Sequence, residues 1–313
     1  LIKTRLGRDL EPFDIWYDGF KVRSAISEDE LSAKTRKLYP NTAALKADLP
    51  NIMQRLGFSA NKATEVCAKV EVDASLGAGH AWGAMATYDV SRLRTRIAAD
   101  GMAYKGYNIA VHEFGHNVEQ TITINDVDNY MMCGVPSTAF SEALAFVFQK
   151  RDLELLGYVT NDAFASAYQS LDIFWGSYEI MGVSLVDIYT WRWLYENPNV
   201  SVAQLKETII RNAQEVWNKY YAPVLGHENS TILAIYSHMI EIPLYLPNYP
   251  YGHIVESQLE AQFKNNVLGE EVCRIYPIGK LTPNLWMQHA VGQPVPVDPL
   301  LKEVAEAVKV LNK

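Results

Sequence analysis

Residues 108–120 read Asn-Ile-Ala-Val-His-Glu-Phe-Gly-His-Asn-Val-Glu-Gln. Within them, His112, Glu113 and His116 form a His-Glu-x-x-His arrangement. On a helix, residues four apart share one face and lie about 6 Å apart along the axis, so two imidazoles at this spacing can converge on one zinc ion. Glu113, beside the first histidine, can reach a water on the open side of such an ion and take its proton as it attacks a carbonyl. With 7 His and 36 acidic residues in 313, chance places this pattern in about two of a hundred chains of this composition. Tyr104, Tyr107, Ile109, Ala110, Val111, Phe114 and Val118 predict that the helix is buried. The plainer alternative is a buried helix whose histidines only hydrogen-bond within a core.

Zinc needs a third protein ligand, with a fourth position left open. No His-x-x-Gly-x-x-His follows His116, which excludes the metzincin arrangement. The candidate is Glu142, an acid in the otherwise apolar segment Phe140 to Phe148. Ser137 after Pro136 predicts the start of a helix that reads to Leu156, with Gly157 as its stop. A buried carboxylate without a partner is costly, so a metal or a cation is expected beside Glu142. A structural hydrogen bond is the alternative.

A helix with His-Glu-x-x-His, a loop, and a second helix carrying Glu followed by Ala resembles the gluzincin pattern. Within that pattern the chain resembles the thimet oligopeptidase and oligoendopeptidase F group, with echoes of the angiotensin-converting-enzyme group. The resemblance implies a mainly α, zincin-like catalytic domain with a small β-sheet beside the zinc-binding helix. It implies one Zn2+ per chain on His112, His116 and Glu142, and a short peptide as substrate. It touches most of the chain but is specific only at 108–120 and about Glu142.

Composition sets outer bounds. At 49% hydrophobic and 20% charged, the chain reads as globular with a sizeable core, in one large domain or two. The net charge of −8 argues against a nucleic-acid partner. No run of eighteen apolar residues predicts a membrane span. Cys67, Cys133 and Cys273 are odd in number and irregularly spaced, and read as free thiols. The chain opens at Leu1 without a signal-like segment, as a processed, trimmed or partial protein would, and names no compartment.

Before the motif, residues 10–24 predict a helix after Pro12. Asp14-Ile-Trp16-Tyr17 there resembles the Trp-Asp-aromatic segment that opens the catalytic region of oligopeptidases, or is an amphipathic core stretch. Ser27 with Glu30 predicts a capped helix to about Tyr39, and Asn41 caps another that ends near Leu56, with Gly57 beyond. From Lys69 the period changes: Val70, Val72 and Ala74 alternate as in a strand. Two short strands follow, with a turn near Asp89 to Ser91. An edge strand beside a zinc helix can take an extended peptide on its own N–H and C=O groups. His80-Ala81-Trp82-Gly resembles the His-Ala-Ser-Ala segment that lines the substrate cleft of converting enzymes; His80 is otherwise a surface or turn histidine. Arg92, Arg94 and Arg96 alternate along a strand; some are expected to pair with carboxylates such as Glu119, and none is a candidate substrate contact.

After the motif the chain reads as mostly helical, with breaks expected at Gly176 and Gly182 and an amphipathic helix over 202–220. Tyr245, Tyr249, Tyr251 and His253 crowd a Pro- and Gly-punctuated loop entering a helix. A peptidase needs a donor for the oxyanion that develops on the attacked carbonyl. The resembled families carry a His and Tyr pair at the start of a late helix, which implies Tyr251 and His253 here. The usual double tyrosine is absent, and ordinary loop packing is the alternative. Tyr245, with His80, Ala81 and Trp82, is a candidate substrate contact. Thr282 with Pro283 begins a further helix, and Asp298-Pro299 the last. Full-length members of the resembled group also have a long helical N-terminal portion that walls a deep channel. No comparable length precedes the motif here. The channel is then shallower, or its wall belongs to a missing N-terminal segment or a partner.

Two functions follow as expectations, both on a single domain over 1–313 that is complete or part of a longer protein. The first is zinc-dependent peptide-bond hydrolysis with Glu113 as general base. The second is a catalytically weak or inactive zincin domain that binds peptide or protein.

Overall fold

The computed structural model describes residues 1–21, 26–77, 79–158, 164–236 and 238–312. Its fold is mainly α-helical, with one three-stranded sheet in the order β1-β3-β2. The residues group into two compact units. The first comprises Leu1–Val22, Ala163–His253 and Asp298–Lys313; the second comprises Arg23–Asp162 and Ile254–Val297.

The second unit carries the motif. Its opening helices are set by local chemistry: the side chains of Ser27, Asn41 and Ser59 accept from the backbone N–H of Glu30, Ala44 and Lys62, satisfying donors left open at each helix start. These helices span Glu28–Leu38, Thr42–Arg55 and Ala60–Ala68. The sheet follows: β1 (Val70–Ser75), β2 (His80–Trp82) and β3 (Ser91–Arg96). β3 pairs parallel with β1, Val72 opposite Leu93, and antiparallel with β2, Ala81 opposite Leu93. Ser91, Leu93 and Thr95 turn inward, and the arginines between them do not. The turn into β3 lies just upstream of its expected place. Asp89 N–H donates to Ala86 O, and its carboxylate accepts the N–H of Met85 and Val90.

The sheet lies on a 23-residue helix, Tyr104–Asp126. Thr95 Oγ1 donates to Gly106 O at 2.6 Å, and Ser91 Oγ meets Thr121 Oγ1 at 3.4 Å. Tyr107, Val111, Phe114, Val118 and Ile122 are buried. A second helix, Thr138–Gln149, packs closely where Gly115 leaves room: a Cβ there would stand 2.7 Å from Ala145 Cα. The expected run to Leu156 is interrupted after Gln149. Lys150 and Arg151 turn out of the helix to Glu256 (2.8 Å) and Glu260 (2.7 Å), and a short helix resumes at Asp152–Leu155. The arginines of β3 do not meet Glu119. Arg92 pairs with Asp73, Arg94 lies over the Trp82 ring, and Arg96 donates to Gly77 O.

The first unit packs around Ile15, Trp175, Val183, Val186, Trp217 and Leu233. The helix expected over 10–24 is reduced to a 3₁₀ turn, Pro12–Trp16. Tyr17 is extended instead, and its ring packs edge-on against Phe20 and Trp175; residues 22–24 lie outside the described set. No break occurs at Gly176 or Gly182, since Ala165–Glu196 is one helix. Gly182 makes space for a ring, because a Cβ there would lie 2.5 Å from the Tyr221 hydroxyl. The amphipathic helix Val202–Tyr220 is as expected, with Trp217 buried. Tyr249, Tyr251 and His253 are already on a helix, Asn248–Phe263, rather than in a loop. Pro250 falls in its first turn, where a missing N–H costs nothing. Among the described residues, no helix is long and apolar enough to cross a membrane. The three cysteines are free.

Candidate metal centre

His112 and His116 sit one turn apart on the helix Tyr104–Asp126, and Glu142 faces them from Thr138–Gln149. One ligand atom from each lies within 4.8 Å of the others, which makes them a group that could hold a metal ion among the described residues. Glu142 Oε2 stands 3.4 Å from His112 Nε2 and 3.6 Å from His116 Nε2. Both separations are long for hydrogen bonds. Donors on one tetrahedral zinc, at roughly 2.0–2.2 Å each, stand about 3.3–3.6 Å apart. The donor types suit zinc, and the two separations to Glu142 match that spacing.

Electrostatics tie the three together. Glu142 is 1% exposed. Burial alone would raise its pKa, but the facing imidazoles of His112 and His116 hold it well below the usual carboxylate value. Burial works against a charged His116, yet Glu142, Glu113 and Glu119 lift its pKa above the ordinary histidine value.

Glu113 differs. Burial raises its pKa, Glu142 adds to the rise, and the charges of His112, His116 and His80 oppose it. The backbone leading into β2 lies against it: a Cβ on Gly79 would be 3.2 Å from Glu113 Oε1. β2 carries His80 and Trp82 exposed and Ala81 half-buried, and no further strand pairs with its outer edge among the described residues.

Behind each histidine runs a polar chain that the sequence reading did not assemble. His116 Nδ1 lies 2.8 Å from Ser141 Oγ, which donates to Glu119 Oε2 at 2.7 Å. Burial raises the pKa of Glu119, and hydrogen bonds from Ser141 and Thr123 oppose this. His112 Nδ1 lies 3.2 Å from Gln149 Oε1. Gln149 Nε2 donates to Asn108 Oδ1 (2.9 Å), and Asn108 Nδ2 donates to Asp152 Oδ2 (2.6 Å). Tyr104 OH and Leu153 N also donate to the Asp152 carboxylate. The available signal was a set of polar residues on apolar helix faces, spread over 45 positions from Asn108 to Asp152.

Tyr245, Tyr251 and His253 belong to the first unit. Tyr245 N–H closes a turn on Ile242 O, and Asn248 Nδ2 donates to Tyr245 O. Tyr251 and His253 occupy the first two turns of Asn248–Phe263, and burial raises the pKa of Tyr251.

No family model matches the chain, and no curated protein matches it in sequence. Solved structures do match in fold. A candidate oligoendopeptidase F from Bacillus anthracis str. Ames is 14% identical, with a TM-score of 0.56 over 91% of this chain and 53% of that one. A second candidate oligoendopeptidase F is 15% identical, with a TM-score of 0.60 over 99% of this chain and 60% of that one. Trypanosoma cruzi metallocarboxypeptidase 1 is 13% identical, with a TM-score of 0.52 over 96% and 70%. The chain thus has the fold of these peptidases and spans 53% and 60% of the length of the two oligoendopeptidase structures.

Proposed function

We propose that this chain is the metal-bearing domain of a zinc-dependent peptidase of gluzincin type, acting on short peptides. The observation that carries the reading is the convergence of His112, His116 and Glu142, ligand atoms within 4.8 Å of one another, with Glu113 on the helix of the two histidines. The likeness of fold to oligoendopeptidases and a metallocarboxypeptidase supports it. When bound, zinc supplies a Lewis acid that polarises the scissile carbonyl and acidifies a water.

The chain's own residues do the rest. His112, His116 and Glu142 would hold the ion. Glu113, its pKa raised by burial, accepts a proton from the attacking water and passes it to the leaving amine. The outer edge of β2, at His80, Ala81 and Trp82, takes the extended substrate through main-chain hydrogen bonds. Tyr251 or His253 donates to the developing oxyanion, and Tyr245 contacts substrate; these three roles rest on the sequence resemblance of their segment.

The test is metal content followed by turnover. Purified protein should hold about one zinc per chain, removable by chelator. Glu142→Ala should lose most of its zinc affinity. Glu113→Gln should keep the zinc while cleavage of a mixed peptide library falls by about 10²–10⁴. Absence of zinc after reconstitution sinks the reading. A zinc-loaded chain that binds peptides but cleaves none turns it into a peptide-binding zincin domain.

A further inference from the structure

We infer that two buried carboxylates, Glu119 and Asp152, act through hydrogen-bond chains of fixed direction to present the Nε2 lone pairs of His116 and His112 to the metal. They are positioning residues, and the inference rests on the proposed metal centre. The direction follows from which atoms can donate. A carboxylate accepts, so Asn108 must turn its amide NH₂ toward Asp152 Oδ2. That leaves Asn108 Oδ1 to accept from Gln149 Nε2, and Gln149 Oε1 to face His112. An amide oxygen cannot donate, so His112 Nδ1 carries the proton.

The second chain runs the same way. The Ser141 hydroxyl gives its one proton to Glu119 Oε2, so its oxygen accepts from His116 Nδ1–H. Distances agree, because the Nδ1 contacts, 3.2 and 2.8 Å, are shorter than the Nε2 approaches to Glu142, 3.4 and 3.6 Å. Proton placement on each ring is thus dictated from buried residues outside the ligand set. Such partners are worth roughly 10–100-fold in metal affinity at characterised sites.

The two chains use different side chains, so they can be cut separately. Ser141→Ala removes the bridge to Glu119 and leaves the His112 chain whole. Gln149→Ala, at a half-buried position that tolerates truncation, does the reverse. Ser141→Thr restores the hydroxyl.

The first measurement is nitrogen NMR of the imidazoles in metal-free protein at alkaline pH. Both His112 and His116 should be Nδ1–H tautomers in the unmodified chain. Ser141→Ala should shift His116 alone toward Nε2–H, and Gln149→Ala should shift His112 alone. The second is zinc affinity by chelator competition. Each cut should weaken it by about 10–100-fold, with Ser141→Thr near the parent value. Metal-free thermal stability is the control, since a residue with only a packing role would lower it without changing the gain on adding zinc.

Nε2–H tautomers on both rings of the unmodified chain overturn the inference. So do unchanged tautomers and zinc affinity in both cut variants, and Gln149→Ala alone suffices for this if Ser141→Ala does not fold. Failure of the unmodified chain to take zinc strikes the proposed function instead, and the tautomers of the metal-free protein still decide the hydrogen-bond chains.

Discussion

Glu113 and Glu142 lie in one site, and their surroundings push them in opposite directions: burial raises the first, and two imidazoles hold down the second. That divergence suits the proton acceptor and the metal ligand proposed for them. The grouping of His112, His116 and Glu142 was legible in sequence, because spacing puts the histidines on one helix face and an acid among phenylalanines calls for a cation. The residues behind the histidines were not, since Ser141, Gln149 and Asp152 acquire meaning only when two helices meet. Glu119 was expected to pair with arginine and instead accepts hydroxyls from Ser141 and Thr123. Tyr251 and His253 have only sequence support, and kinetics test them. A donor that meets the oxyanion alone should act on kcat, so Tyr251→Phe or His253→Ala should lower kcat by about 10–1,000-fold with little change in KM. Parent kcat in both variants would make their roles structural. A third acid belongs to the first unit. Glu179, on the helix Ala165–Glu196, is held by burial near 7 rather than the usual 4.5, opposed by Lys21 and a Tyr236 hydrogen bond. The folded chain binds this proton more tightly than the unfolded chain, so its stabilisation is full below about 4.5 and is lost as pH rises through about 7. The loss amounts to at most about 3 kcal/mol, less whatever residual solvent screens. Glu179→Gln should flatten denaturant stability between those pH values and raise it at pH 8. An unchanged slope would place the ionisation elsewhere.

The element that makes the centre possible is the crossing of Tyr104–Asp126 with Thr138–Gln149. Gly115 permits it, and the Phe114–Phe148 and Phe58–Phe148 ring contacts at 6.1 and 6.4 Å pack around it. Local signals located both helices, through the apolar setting of the first and Ser137 at the start of the second, because such signals are written within a few residues. They failed where tertiary contact overrode them. Gly176 and Gly182 read as breaks but lie inside one helix, Gly182 because a Tyr221 ring needs its face. Residues 10–24 read as helix after Pro12, but Tyr17 leaves it to join Phe20 and Trp175. The stop after Gln149 follows from ion pairs to residues more than a hundred positions away, which no local window contains. Gly115 itself gave no warning, since a glycine inside a helical pattern reads as a mild defect. Gly115→Val should therefore do more than restore helix propensity. Its Cβ meets the Ala145 backbone, and overpacking of this kind costs about 1–3 kcal/mol. The helices must separate, so zinc affinity should fall together with thermal stability. A variant that gains stability and keeps its zinc affinity would show that the crossing tolerates a side chain.

At the scale of the whole molecule, the two units are interleaved along the chain: three segments build the first and two build the second. The helix Asn248–Phe263 begins in one and ends in the other. Sequence showed no composition shift between them, and the single-domain reading is kept as a proposal with a thermodynamic test. If one unit melted alone, its segments would become long loops within the other, each adding closure entropy. A continuous helix across the boundary would also have to break. One cooperative transition is therefore expected. The proposed ligands all belong to the second unit, yet zinc should shift the whole transition. At free zinc about 100-fold above Kd, the stabilisation is about 2.7 kcal/mol. With an unfolding entropy of roughly 2 cal/mol/K per residue, a chain of this length should lose about 4 °C in Tm when chelator replaces zinc. Tryptophan emission reports mainly the first unit, which holds Trp16, Trp175, Trp191, Trp193 and Trp217, whereas Trp82 and Trp286 lie in the second. Helical ellipticity reports both. The two signals should melt together with zinc and together, about 4 °C lower, without it. A zinc-dependent shift confined to part of the ellipticity, with the tryptophan transition fixed, would mean that the units fold separately and that the metal stabilises one of them.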